Sequence, residues 1–181
     1  MALELNGTTG VSAVQAGAVE SGDLPAGSVI QVVSNTYNTP TVISTSQGTL
    51  SDIFSENITP SSSNNKILVQ VMLSISADSV NGVFCGIKRD GSLIGAGPSA
   101  GSRTQATTGQ GGPDSIAESF NTTNVSMTFI DEPTTQSQVT YTVSANKRNS
   151  GFININVTPN DVDQSDRGRF ISTITLMEIA G

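Results

Sequence analysis

Apolar and polar residues alternate along this chain in short stretches, and Gly, Pro, Asn, Asp or Ser end each stretch. A period of two puts alternate side chains on opposite faces of a strand, so the pattern predicts strands rather than helices. Lys66 to Ser76 shows it best. Ile67, Val69, Val71, Leu73 and Ile75 fall on one face, and Leu68 and Met72 on the other. Apolar residues on both faces predict a central strand, or one with a face packed on a partner subunit. The closing stretch, Arg169 to Ile179, has the same character. Phe170, Ile174 and Leu176 share one face; Ile171, Thr173, Thr175, Met177 and Ile179 share the other.

Further strands are predicted at Ser28 to Tyr37, Thr41 to Ile53, Phe84 to Lys88, Ser92 to Gly95, Asn124 to Ile130, Gln138 to Asn146 and Phe152 to Val157. Asn38-Thr39-Pro40 interrupts the first two. Arg89-Asp90-Gly91 lies between apolar runs, and an Asp-Gly pair there is a hairpin signal because Gly takes positive φ at little cost. Pro60 to Asn65, Gly95 to Asp114 and Thr158 to Gly168 read as loops, the second of them long, glycine-rich and exposed. No amphipathic helix and no fixed-period repeat emerges. Roughly eight to ten short strands in about 150 residues match an all-β, two-sheet jelly roll or a related sandwich.

Residues 1–27 differ from the rest. Ala2-Leu3-Glu4-Leu5 and Gly10 to Val14 flank the turn-rich Asn6-Gly7-Thr8-Thr9, which predicts a small hairpin, and a Gly- and Ser-containing linker follows. So short a piece cannot bury a core of its own. The expected organisation is an N-terminal anchoring arm and linker, 1–27, and a β head domain, 28–181. Leu3, Leu5, Val11 and Val14 are the arm's candidate contacts with a neighbouring protein.

Length and composition agree with one core plus a short appendage: there are 181 residues, only 13% of them charged. Ser, Thr, Asn, Gln and Gly supply the polarity, a mixture suited to strands and turns. The formal net charge of −7 and eight scattered basic residues argue against nucleic acid, whose phosphates demand clustered Lys and Arg. No segment is apolar enough to span a membrane and the N-terminus lacks a secretory pattern, so synthesis in a cytoplasm is expected. The single cysteine, Cys85, lies in the apolar run Val83 to Ile87 and reads as a small buried hydrophobe.

The chain has no histidine. That removes the commonest general base, the usual partner of a serine nucleophile and the commonest transition-metal ligand. Gly95-Ala96-Gly97-Pro98-Ser99-Ala100 has dinucleotide-fingerprint spacing, but Pro98 and the glycines beyond it oppose the helix that motif must open. Asp161 to Asp166 starts like a calcium loop and then fails, with Ser165 and Asp166 where Asp or Asn and then Gly are needed. Asp131-Glu132 are adjacent carboxylates before Pro133, so they point apart and suit a turn better than glycoside cleavage. No enzyme activity and no cofactor is expected.

Several stretches resemble, in order, a domain widespread in tail-fibre and other virion structural proteins of marine tailed bacteriophages. They are Ile58 to Val69, Arg89-Asp90-Gly91-Ser92-Leu93-Ile94-Gly95, Gly101-Ser102-Arg103-Thr104, Met127 to Pro133 with Val139 to Val143, and Ser172 to Ile179. The resemblance spans about Leu24 to the end. It implies a jelly roll of the broad tumour-necrosis-factor-like kind, assembled as a homotrimer by packing apolar sheet faces around a threefold axis. Val69, Val71, Leu73, Ile174 and Leu176 are the candidates for that subunit packing. It implies no catalytic residues. Long fibres carry this domain on a shaft; here only a short arm precedes it. The expected role is therefore a capsid-decoration or head-fibre protein on the virion surface, its arm held by the major capsid protein or by a collar or tail protein. The alternative is a short tail-fibre head binding a host receptor or glycan. Arg103, Gln105 and Gln110 on the long loop, and the stretch Asp161 to Arg169, would then make contact, although the chain has no Trp and only two Tyr to stack on sugars.

Overall fold

The computed structural model describes residues 23–77, 82–110 and 122–181. Among them are eleven strands and no α-helix: β1 (Val29–Tyr37), β2 (Thr41–Thr45), β3 (Ser51–Ile58), β4 (Lys66–Ala77), β5 (Val83–Arg89), β6 (Ser92–Ile94), β7 (Thr108–Gln110), β8 (Thr123–Asp131), β9 (Val139–Lys147), β10 (Gly151–Ile155) and β11 (Ser172–Ile179). The arm candidates Leu3, Leu5, Val11 and Val14 and the N-terminal hairpin lie outside the described residues.

All pairings are antiparallel, in two sheets. The first has the order β1-β11-β4-β10-β2, with β8 also on β4; the second has β3-β9-β5-β6, with β7 also on β5. The registers simplify this. Ile75 of β4 pairs with both Thr123 of β8 and Ile155 of β10, so β10 lies on the same edge of β4 as β11. β10 and β11 are thus one strand interrupted by a loop, residues 156–171. β1 and β2 run beside them as one strand broken at residues 38–40. β6 and β7 likewise share an edge of β5 on either side of a loop, residues 95–107. Counted this way the molecule has eight strands, ordered 1-8-3-6 and 2-7-4-5. Successive strands cross between the sheets except the fourth and fifth, which are neighbours in the second sheet, and this two-Greek-key order is that of a jelly roll.

Polar side chains secure the breaks. Asn156 holds a positive φ of 62°, which Asn tolerates. Its Nδ2 donates to the Tyr37 carbonyl at 2.7 Å, and its Oδ1 accepts from Ser172 Oγ at 2.7 Å. One side chain therefore ties both interruptions of the first sheet together. Thr107 does similar work in the second sheet. Its amide donates to the Cys85 carbonyl at 2.9 Å, and its Oγ1 accepts from the Ile87 amide at 3.2 Å.

Three expectations are corrected. Thr41 to Ile53 is not one strand: a turn closed by Thr49 N to Ser46 O at 3.2 Å, with Gly48 at φ 81°, carries the chain from β2 in the first sheet to β3 in the second. The long loop from Gly95 contains β7, because Thr108, Gly109 and Gln110 find open backbone groups on Cys85, Phe84 and Val83. The closing strand starts at Ser172, since Phe170 and Ile171 belong to the loop that rejoins the sheet.

The core lies between the sheets. From β4 it takes Ile67, Val69, Val71, Leu73 and Ile75, and from β11 Ile174 and Leu176; Val139, Tyr141, Val143 and Ala145 of β9 and Cys85 and Ile87 of β5 meet them. Each fully buried aliphatic side chain contributes about 1.5–3 kcal/mol. Val69, Val71, Leu73, Ile174 and Leu176 are all buried inside this single chain. Their assignment to subunit packing is therefore corrected: the sequence pattern identifies an apolar face, and the second sheet of the same chain covers it.

Candidate assembly face and loop cleft

The outward face of the first sheet is set by register. Directly paired residues share a face, and three rows cross all four strands. The first is Val32, Met177, Leu68 and Ile130; the second Ser34, Thr175, Gln70 and Thr128; the third Thr36, Thr173, Met72 and Ser126. None of these twelve residues is charged, and the first row is wholly apolar. The nearest charges are marginal: Lys66 and Glu132 pair at 2.8 Å beyond the first row.

Exposure is one-sided. The described residues include nine exposed large hydrophobics. Val29, Val32, Met72 and Ile130, with Val42 and Phe152 farther along, lie on this face; Val162, Phe170 and Ile171 lie in the 156–171 loop. That loop leans over the same face. Ser74 and Ser76 point outward yet are buried, because Ser74 Oγ donates to the Ile171 carbonyl and Ser76 Oγ to the Val157 carbonyl, each at 3.1 Å. Arg169 and Asp161 pair across the loop at 2.7 Å, so the calcium-like stretch spends its first carboxylate internally. Among the described residues no group of three or more His, Cys, Asp or Glu is placed to hold a metal ion.

On the opposite side, Arg103, Gln105 and Gln110 do come together. With Phe84, Pro98 and Arg148 they line a cleft of about 410 Å³ beside β5 and β7. The 95–107 loop that forms it is pinned across its neck: Gly97 N donates to the Ala106 carbonyl at 3.1 Å, and Gln105 Nε2 donates to the Gly97 carbonyl at 2.9 Å. Arg103 Nη1 donates to the Ala100 carbonyl at 3.1 Å. Gln110 Oε1 accepts from Thr123 Oγ1. Gly109 faces Phe84 across the strand pair, and a Cβ there would come within 3.2 Å of Phe84 Cδ1. Glycine thus leaves the ring open to the cleft.

Two buried polar centres have no counterpart in the sequence reading. Asp131 is buried; Arg89 Nη1 donates to both its oxygens at 2.9 Å, and Tyr141 Oη donates to Oδ2 at 2.6 Å. Burial, and then the bond to Asp131, push the Tyr141 hydroxyl far above its usual range. Glu132 turns the other way, to Lys66, whose hydrogen bond and charge lower its carboxyl. The two adjacent carboxylates do point apart. Glu178 is the second centre. It accepts from Gln31 Nε2, Ser61 N, Ser61 Oγ and Asn65 Nδ2 at 2.5, 2.6, 2.8 and 2.6 Å. Burial alone would raise its carboxyl, but the bonds from Asn65, Gln31 and Ser61 outweigh that and hold it below the usual range. Its sequence signal was its parity with Ile174 and Leu176, which puts a charge on the core face. Cys85 is fully buried and its thiol is pushed up to about 12 by that burial.

No family model matches the chain, and no curated protein matches it. Among solved structures it is similar to the VP2 subviral particle of infectious bursal disease virus, at 9% identity and a TM-score of 0.37, over 83% of this chain and 41% of that one. It is similar also to a structure of the Gx strain of infectious bursal disease virus, at 14% identity and a TM-score of 0.38, over 83% of this chain and 37% of that one. The chain spans about two fifths of the length of these neighbours. The jelly-roll assignment itself rests on the strand order.

Proposed function

We propose that this chain is a structural protein of a virus particle. It forms a homotrimer through the outward face of the first sheet and decorates the capsid surface, with residues 1–27 as the arm that anchors it to the capsid or collar. The charge-free, apolar-rowed face carries this reading. Copies with a formal net charge of −7 repel one another wherever charged surfaces meet. They approach at least cost through a patch that carries no charge, and burying its exposed aliphatic area stabilises the contact by about 25 cal/mol per Å². The resemblance to phage virion domains supports the same role, which needs assembly and display rather than turnover.

Sedimentation of the purified full chain tests it. A trimer at micromolar concentration is expected, and Val32→Glu combined with Ile130→Glu should yield a folded monomer. Both side chains are more than half exposed, so the change does not touch the core. A wild-type monomer would overturn the proposal. Imaging intact particles adds the location: density at symmetric sites over the head is expected, and density confined to the tail contradicts decoration.

A further inference from the structure

The exposed large hydrophobics among the described residues form two groups on one side of the molecule. Val29, Val32, Met72 and Ile130 lie on the flat part of the outward face, across β1, β4 and β8. Val162, Phe170 and Ile171 lie in the 156–171 loop, with Val42 and Phe152 on its far side. Two bonds from β4 hold that loop on top of the sheet: Ser74 Oγ to the Ile171 carbonyl and Ser76 Oγ to the Val157 carbonyl. Ser74 is the next outward position after Met72, so the loop makes a ridge along the border of the third row. Four of the loop's five charged residues pair with one another, Arg169 with Asp161 at 2.7 Å and Arg167 with Asp166 at 3.6 Å. A ridge that settles its charge in this way meets a charge-free face without stranding those ions.

Area decides how two copies use these surfaces. Three rows on four strands make a patch of roughly 20 Å by 20 Å with its side chains, on the order of 400 Å². Specific contacts bury about 800 Å² per partner, so two copies meeting face to face fall short by about half. Each ridge would also either wedge such faces apart or be left wet. A closed ring of three asks for another geometry, in which each copy offers one surface to the neighbour ahead and a different one to the neighbour behind. The flat face and the ridge are two such surfaces. Using both roughly doubles the area each copy buries, to on the order of 800 Å². We propose that each copy seats its 156–171 loop, through Val162, Phe170 and Ile171, on the outward face of the next copy, so that the ring closes ridge on face. This rests on the trimeric reading above and specifies its contact.

Cross-linking of full-length chains, each with one added cysteine, tests it. Gln70 is exposed in the middle row and Val162 is exposed on the ridge, while the native Cys85 is buried. A Gln70→Cys chain and a Val162→Cys chain, co-expressed and treated with a short bismaleimide, should give a covalent heterodimer. Mass spectrometry of its linked peptides should join position 70 to position 162, and neither variant alone should give a comparable yield of homodimer. A Gln70→Cys homodimer formed as readily would mean that two faces meet, and it would overturn the proposal, as would the absence of any intermolecular 70–162 link. Val162→Asp combined with Ile171→Asp should turn the trimer into a monomer in sedimentation and leave the urea midpoint unchanged, since both side chains are exposed. A trimer that survives that change sinks the ridge contact and leaves the assembly reading standing; a wild-type monomer sinks both. If removing residues 1–22 dissolves the trimer while the ridge variant keeps it, the arm covers the face and the proposal fails.

Discussion

Glu178 offers the sharpest test of how the jelly roll is held shut. Its side chain is 0% exposed, and among the described residues no cation lies within ion-pair distance of it. Neutral donors alone solvate it, and three of the four bonds reach Oε1: Ser61 N, Ser61 Oγ and Asn65 Nδ2. These tie the loop between β3 and β4 to the last strand. Asn65 Oδ1 then accepts from the Gly181 amide at 3.1 Å, which fastens the chain end as well. Glu178→Leu removes the acceptor but keeps the bulk. It leaves buried donors unsatisfied at about 1–3 kcal/mol each, and a total loss of about 3–5 kcal/mol is expected. Glu178→Gln keeps a carbonyl for the three Oε1 bonds and loses the charge, so about 1–2 kcal/mol is expected. For a chain of this length the leucine variant should melt roughly 6–20 °C lower.

Urea unfolding followed by far-UV circular dichroism, at several pH values, reads both effects. The folded carboxyl sits below its ordinary value of 4.5, so on acidification the unfolded chain takes up the proton first. The stabilisation from Glu178 is therefore complete above about pH 5 and is lost as the pH falls through 4.5 towards the folded value. The gap between wild type and Glu178→Gln should narrow over that window. A leucine variant within about 0.5 kcal/mol of wild type, or a glutamine variant as damaged as the leucine one, would refute the account.

Three further outcomes follow from the buried geometry. Tyr141→Phe removes the 2.6 Å bond to Asp131 and should cost about 1–2 kcal/mol in urea unfolding, whereas Asp131→Ala strands Arg89 and should cost about 3–5 kcal/mol. Gly95 sits at φ 56° with the Phe129 ring where a Cβ would stand, 2.7 Å from Cδ2, so Gly95→Ala should lower stability by about 1–3 kcal/mol. The Cys85 thiol, buried and pushed up to about 12, should stay silent to thiol reagents in native buffer and react only as the protein unfolds; rapid native labelling would contradict its burial.

Much of the architecture was legible in the chain because period-two alternation is a local property. The Asp90-Gly91 turn appears where expected, with φ 47° and 82°. So do the strands near Lys66, Asn124, Gln138 and Ser172, because each needs only its own residues to declare a face. β7 escaped notice because Thr108-Gly109-Gln110 has no apolar alternation; it becomes a strand only by completing the edge of β5. The division at Gly48 went unread for the opposite reason. Apolar residues continue through Leu50 and Ile53, and the crossing between sheets is a fact of partners, not of pattern.

The site followed the same division. Arg103, Gln105 and Gln110 could be flagged on a glycine-rich loop, but their convergence on one cleft with Phe84 and Arg148 needed residues from strands more than a dozen positions away. Val69, Val71, Leu73, Ile174 and Leu176 were rightly seen as an apolar face, yet which surface meets that face is not encoded locally. The second sheet of the same chain takes it, and the opposite face, with Val32, Met177, Leu68 and Ile130 in one row, is left open. By itself the sequence determined an all-β chain, the absence of histidine chemistry and the approximate strands. Only the tertiary structure decided which face is core and which is surface, and that glutamate and aspartate serve as buried fasteners. The reason is physical: alternation sorts side chains to two sides of a strand, and only the packing of whole sheets decides which side is dry.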